Sequence, residues 1–181
     1  MIEDKLLIWK FKCGDRAALA RIYEKYKTDL LRIATGLSSQ ISIAEDIVHD
    51  VFVTFAQSSD QLKLNGSLKG YLITCVANRA RNSTRAEQRR RAVRLDETGP
   101  VMPDSDNPER WIVRNEEMDK LNNAMAQLPY AQREVVILHV QGGMKFKAIA
   151  KSQNVSINTV QSQYRYGLDK LRSLLNSEVE K

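Results

Sequence analysis

Apolar residues recur along most of this chain at three- and four-residue spacings, and strict alternation with polar residues is absent. That is the period of amphipathic helices, and it predicts helices nearly everywhere. The first covers about residues 3–13; Gly14 stops it and Asp15 is placed to cap the next. The second spans about 16–35, with Leu19, Ile22, Tyr23, Tyr26, Leu30 and Ile33 as its buried stripe, and 36–42 reads as a polar loop. A third, about 43–57, puts Ala44, Ile47, Val48, Val51 and Phe55 on one face and Asp46, His49 and Asp50 opposite. After a turn-rich stretch, Ser67 is positioned to cap a long fourth helix, 68–94. Its first half is apolar (Tyr71, Leu72, Cys75, Val76); its second half is dominated by arginine.

Three of the four prolines, Pro100, Pro103 and Pro108, fall within residues 96–110. Each pushes the residue before it out of helical geometry, so this stretch is expected to be an extended, flexible linker. Beyond it the pattern predicts helices at about 111–127, 130–141, 145–153 and 157–176, with Pro129 opening the second of these, where its missing N–H costs nothing. The expected fold class is therefore all-α. Two small helical domains, residues 1–95 and 111–181, are joined by the 96–110 linker.

The last two helices form a helix-turn-helix. Phe146, Ile149 and Ala150 bury the short one; a break at 153–156 contains Asn154, suited to a left-handed turn, and Ser156 caps the long one. Val160, Tyr164, Leu168, Leu171 and Leu175 make its core face. Asn158, Ser162, Arg165, Tyr166 and Asp169 lie opposite. Short polar groups and an arginine on the first turns of a second helix suit base edges and phosphates in a major groove. A plain helical hairpin with a solvated polar face fits the same pattern.

Charge sharpens the picture. The chain has 28 basic and 22 acidic residues, net +6. Residues 1–95 carry 17 basic and 10 acidic residues, 96–112 carry 1 and 5, and 113–181 carry 10 and 7, so two basic segments flank an acidic connector. Between Arg79 and Arg94 stand seven arginines and one acid, Glu87, too one-sided for a surface laced by salt bridges. Such a run can neutralise several phosphates, with binding that weakens steeply as salt rises. The loop before it brings Asn65, Ser67, Lys69 and Tyr71 close. An aromatic beside amides and hydroxyls can hold an unstacked base, although Tyr71 equally suits the core.

Other chemistry finds little support. Cys13 and Cys75 are far apart in apolar patterns, with no CxxC or Cys/His spacing, and read as two buried reduced thiols. No metal site and no cofactor are expected. The two histidines, with no nucleophile-and-base cluster and no phosphate-cradling glycine loop, give no catalytic residues, so the chain is not read as an enzyme. The start of the chain lacks the apolar core of a signal peptide, and no apolar run approaches a membrane span. A cytoplasmic protein without membrane insertion or small-molecule substrate is expected.

Three motifs resemble a family. Ala44-Glu45-Asp46-Ile47-Val48-His49-Asp50-Val51-Phe52 resembles the AED helix of the extracytoplasmic-function (ECF, group IV) RNA polymerase sigma factors, minimal two-domain members of the primary sigma family. Tyr71-Leu72-Ile73, Ala77-Asn78-Arg79 and the following basic run resemble its WL-x-x-IA-x-N…R segment. Leu128-Pro129, Arg133-Glu134-Val135-Val136, Leu138, Ile149-Ala150 and Thr159-Val160…Ser162 resemble its LP-x-x-x-RE-V…EIA…TVKSR block. The three occur in order and cover about 3–95 and 111–175.

The resemblance implies a promoter-specificity subunit. Glu45, Asp46, His49 and Asp50 would dock on core RNA polymerase. Asn65, Ser67, Lys69, Tyr71, Asn78, Arg79, Asn82 and Arg85 would recognise and melt the −10 element of promoter DNA. Asn158, Thr159, Gln161, Ser162, Arg165 and Tyr166 would read the −35 element. The acidic linker would thread toward the polymerase cleft, and an anti-sigma factor would be a further partner. His49 stands where the family has glutamine, Lys147 where it has the glutamate of EIA, and Gln161 and Gln163 where TVKSR has basic residues. The last two changes imply weaker phosphate attraction and a −35 preference shifted toward adenine edges. A stand-alone helix-turn-helix regulator remains an alternative, although no spare dimerisation face is visible. A sigma mimic that binds only an anti-sigma factor is the other.

Overall fold

The computed structural model describes residues 2–58, 64, 66–94 and 116–179. All regular structure in them is helical: α1 (Ile2–Lys12), α2 (Arg16–Ser38), α3 (Ile41–Gln57), α4 (Leu68–Arg94), α5 (Glu116–Ala126), α6 (Tyr130–Val140), α7 (Phe146–Gln153) and α8 (Ile157–Val179). The expected linker at 96–110, and the helix start expected at 111, lie outside the described residues.

Helices α1–α4 form one bundle with α2 at its centre, packed against α1, α3 and α4. Ile22, Leu30, Ile33, Ala34 and Leu37 of α2, Ala44 and Phe55 of α3, and Leu72, Ile73 and Val76 of α4 are essentially solvent-free. Phe11 stacks on Phe55 with centroids 4.9 Å apart, and Tyr23 meets Phe52 edge-on at 4.8 Å. Each buried leucine, isoleucine, valine or phenylalanine contributes roughly 1.5–3 kcal/mol, which is why these stripes set the helix orientations.

The caps form where the sequence places them. Asp15 Oδ1 accepts from the Ala17 N–H at 2.8 Å, and Gly14 turns the chain at φ 86°. Ser67 Oγ accepts from the Gly70 N–H at 3.1 Å, and Ser156 Oγ from the Thr159 N–H at 3.0 Å. Asn154 adopts φ 55°, ψ 45°, the left-handed turn between α7 and α8.

Two expectations need correction. The 36–42 loop is shorter than its composition suggests: α2 continues through Gly36 to Ser38, ends on left-handed Ser39, and α3 begins at Ile41. Gly36 is helical because another helix packs there. A Cβ at Gly36 would lie 2.9 Å from Ile137 Cδ1 of α6, so tertiary contact outweighs glycine's weak helix propensity. Cys13 is exposed and Cys75 half-buried, so neither is the buried thiol expected. Cys13 follows the end of α1, where the stripe has already run out.

Helices α5–α8 form a second group, with a small core of Ala124, Leu128, Val136 and Leu171. His139 is a packing residue in it: the ring stacks on Phe146 at 4.3 Å and meets Tyr164 edge-on at 5.0 Å. The two groups are not separate in space. Val135, Ile137, Leu138, Met144, Ile149, Ala150 and Val160 join the apolar core of α1–α4, and α6 packs directly on α2. Among the described residues no helix is long and apolar enough to cross a membrane, and no His/Cys/Asp/Glu group could hold a metal.

Candidate nucleic-acid and partner interfaces

The outer face of α3 is acidic. Burial of Ala44, Ile47, Val48 and Val51 turns Glu45, Asp46 and His49 outward, one helical turn apart, with Asp50 beside them. Asp50 is half-exposed and engaged by Arg79 of α4, whose Nε donates at 3.1 Å and whose Nη2 donates to the same oxygen. Two residues expected on different surfaces therefore meet.

Helix α4 changes character along its length. Leu68, Leu72, Ile73, Val76, Ala77 and Ala80 anchor its first half in the core. Asn78, Asn82 and Arg85 then run along one exposed side at helical spacing, with Arg79 adjacent and Arg89 and Arg90 beyond. Arg79, Arg85, Arg89 and Arg90 are exposed, whereas Arg81 turns inward against Glu134 of α6.

The expected base pocket is present in part. Ser67, Lys69, Tyr71 and Asn78 line one wall of a cleft of about 940 Å³. Asn65 lies outside the described residues. Ser67 is committed to its cap, and Lys69 pairs with Asp29 at 2.6 Å. Tyr71 leans on Phe55, centroids 6.2 Å apart, and burial pushes its phenol pKa up. It thus spans core and cleft. The opposite wall belongs to the second group and includes Lys145 and Lys151 at either end of α7.

On α8, Val160, Gly167 and Leu171 face inward and Asn158, Thr159, Gln161, Arg165 and Tyr166 face outward, with Ser162 half-buried between. Thr159 belongs to the cap: its Oγ1 lies 2.8 Å from Ser156 Oγ. The Arg165 guanidinium sits 5.2 Å over the Tyr166 ring, a cation–π contact that holds the long side chain along the outer face. Gln163 does not share that face. It is half-buried, and its Oε1 is buried without a hydrogen-bond partner. Only one of the two glutamines expected in a groove stands outward, because residue 163 follows Val160 by three positions and turns toward the core. Lys147 is exposed on α7.

Sequence reasoning missed the contacts that join the two groups. Arg81 of α4 donates to Glu134 of α6 through Nε at 3.4 Å and through Nη2. Arg133 donates through Nη1 to Ser39 Oγ at 3.0 Å and through Nη2 to the Leu37 carbonyl at 3.2 Å. The signal available was the Arg-Glu pair inside an otherwise apolar stripe of α6.

The chain is similar to known proteins over most of its length. Residues 22–90 match the family model described as sigma-70 region 2, and residues 118–171 the model described as sigma-70, region 4. The chain is 25% identical over 177 residues to the RNA polymerase sigma factor NccH of Alcaligenes xylosoxydans xylosoxydans, spanning 96% of this chain and 95% of that protein. It is 22% identical over 165 residues to the ECF RNA polymerase sigma factor SigK of Mycobacterium tuberculosis, spanning 90% and 88%. Two solved structures share the fold. CnrH in complex with the cytosolic domain of CnrY gives a TM-score of 0.70 at 20% identity, over 97% of this chain and 98% of that one. The sigma factor RpoE with the anti-sigma factor NepR from Bartonella quintana gives 0.68 at 23% identity, over 86% and 97%.

Proposed function

The chain belongs to the sigma-70 family, carrying its region 2 and region 4 in order, and on that premise we propose that it is an ECF, group IV, sigma factor. It binds core RNA polymerase and directs promoter-specific transcription initiation. Residues 1–95 form the polymerase-docking and −10 domain, 96–110 the acidic linker, and 111–181 the −35 domain. The observation that carries this reading is the succession along one chain of an acidic outward face, an arginine-lined helix and a helix-turn-helix with an open polar face.

Glu45, Asp46, His49 and Asp50 dock on a basic surface of the polymerase. Asn78, Arg79, Asn82 and Arg85 track the −10 strand, with Arg79 exchanging Asp50 for phosphate. Opening base pairs costs a few kcal/mol each, and capture of extruded bases beside Asn65, Ser67, Lys69 and Tyr71 offsets part of that. Asn158, Thr159, Gln161, Ser162, Arg165 and Tyr166 enter the −35 major groove. There Gln161 favours an adenine edge. The linker, with its acidic residues, mimics nucleic acid in the polymerase cleft. No catalysis by the chain itself is involved; it works in the cytoplasm, with an anti-sigma factor as a further partner.

A mobility-shift experiment tests the partner dependence. The chain alone should bind promoter duplex poorly and the chain with core polymerase tightly. Tight operator-like binding by the pure chain, unaffected by polymerase, would contradict the reading.

A further inference from the structure

We propose that the outward face of α1, built on Leu6, Trp9 and Cys13, is a docking seam for an acidic amphipathic helix of a partner protein. The inference goes beyond the sigma-factor reading and does not rest on it.

Helix α1 is apolar on two opposite sides. Leu7 and Phe11 face inward, and Phe11 reaches Phe55 of α3. That side alone is enough to close the bundle. On the far side Leu6 is 51% and Trp9 62% exposed. The Cys13 N–H donates to the Trp9 carbonyl at 3.1 Å, so the helical path carries on to Cys13, which is exposed as well. Positions 6, 9 and 13 follow the three-then-four spacing of a helix-packing seam. Single apolar side chains scattered over a surface are ordinary, whereas an aligned row flanked by charge is what a partner helix packs against.

Beside the row lies a groove of about 530 Å³ between α1 and α2. Leu6 and Lys10 line it from α1, Arg21 and Glu24 from α2, and the short side chain of Ala20 leaves it room. A helix lying along α1 can set one ridge against Trp9 and the next into this groove.

Charge selects the occupant. Helical register puts Lys5 and Lys12 along one edge of the row, and Glu3 and Lys10 along the other. Glu3 is already engaged by Lys25, at 2.5 Å. Lys5, Lys10, Lys12 and Arg21 have no acidic partner among the described residues. Both edges are therefore basic, and acidic residues flanking a partner's apolar stripe complement them. Two copies of α1 laid row to row would bring lysine against lysine, which disfavours self-association through this face. A lipid surface has no ridge to fill the groove, so a helix suits the face better than a membrane. The outward face of α3 carries the opposite sign, so the two faces call for different partner surfaces.

Anisotropy with two fluorescein-labelled peptides tests this on the full chain. Both peptides carry leucine at every a and d position of a heptad repeat; one has glutamate at every e and g position, the other lysine. The glutamate peptide should bind at least about tenfold tighter, with an affinity that falls as salt rises. Trp9→Ala and Leu6→Ser should each weaken it by about tenfold, the scale of a central apolar anchor. Lys5→Glu, Lys10→Glu and Lys12→Glu together should abolish the preference between the peptides. The Leu6 and Trp9 side chains lie mostly in water, so circular dichroism and melting of these two variants should match the wild type. Binding of the glutamate peptide that survives both Trp9→Ala and the lysine reversals belongs to another basic surface and overturns the proposal. So does Trp9-dependent sedimentation with phosphatidylglycerol vesicles in place of peptide binding, and so does a dimer in analytical ultracentrifugation that Trp9→Ala dissolves. None of these readouts involves polymerase or promoter, so failure of the sigma-factor reading leaves them standing.

Discussion

Arg79 donates from α4 to the carboxylate of Asp50 on α3, tying the acidic outward face to the arginine-lined one. Both side chains are about half exposed, so the pair is worth less than about 1 kcal/mol. It can therefore be exchanged for a partner's charges at little cost. The two neighbouring acids, Glu45 and Asp46, are the more exposed part of the same stripe.

Asp46→Lys should accordingly weaken binding to core polymerase by about tenfold or more, since a like charge placed against a basic surface costs on the order of 1–2 kcal/mol. Fluorescence titration with labelled chain checks it. Unchanged affinity would remove α3 from the docking surface.

Arg165→Ala should lower initiation from a −35-dependent promoter by about tenfold, the loss of one good base or phosphate contact. Tyr166→Ala should do part of the same damage by releasing the guanidinium that its ring holds. Equal activity of the Arg165 variant on promoters with and without the −35 element would contradict the assignment of α8.

Much of this was legible in the chain. The stripes of α2, α3 and α8 announced their buried faces, because a helix packed on one side must repeat near 3.6 residues. Asp15, Ser67 and Ser156 announced their caps, because few residues satisfy free helix N–H groups. What the sequence hid was tertiary. Gly36 reads as a loop residue until Ile137 fills its notch, and Gln163 reads as groove-facing until the rotation of α8 is known. Tyr71 divides between core and cleft. Glu134 looks like a surface acid until Arg81 buries it.

Leu72→Ala removes a fully buried side chain of α4. It should destabilise the chain by about 2–5 kcal/mol. Denaturant unfolding followed by circular dichroism measures this. A loss below 1 kcal/mol would mean that the site collapses without a cavity.

The two thiols should react at different rates. Cys13 is exposed, whereas burial raises the Cys75 pKa, and the thiolate is the reactive form. At pH 8, Cys13 should react with a thiol reagent at least about tenfold faster. The Cys75 rate should go on climbing at higher pH, because a raised pKa keeps its thiol neutral until then. Equal rates in Cys13→Ser and Cys75→Ser variants would contradict the packing of α4.

Transcription in vitro with purified core RNA polymerase, mapping transcript 5′ ends over a library of genomic fragments, tests whether the chain is a promoter-specificity subunit. Core enzyme alone should give no defined starts, and adding the chain should give starts that share −10 and −35 sequences, weakened together in the Asp46→Lys variant. The same scattered products with and without the chain would contradict that assignment.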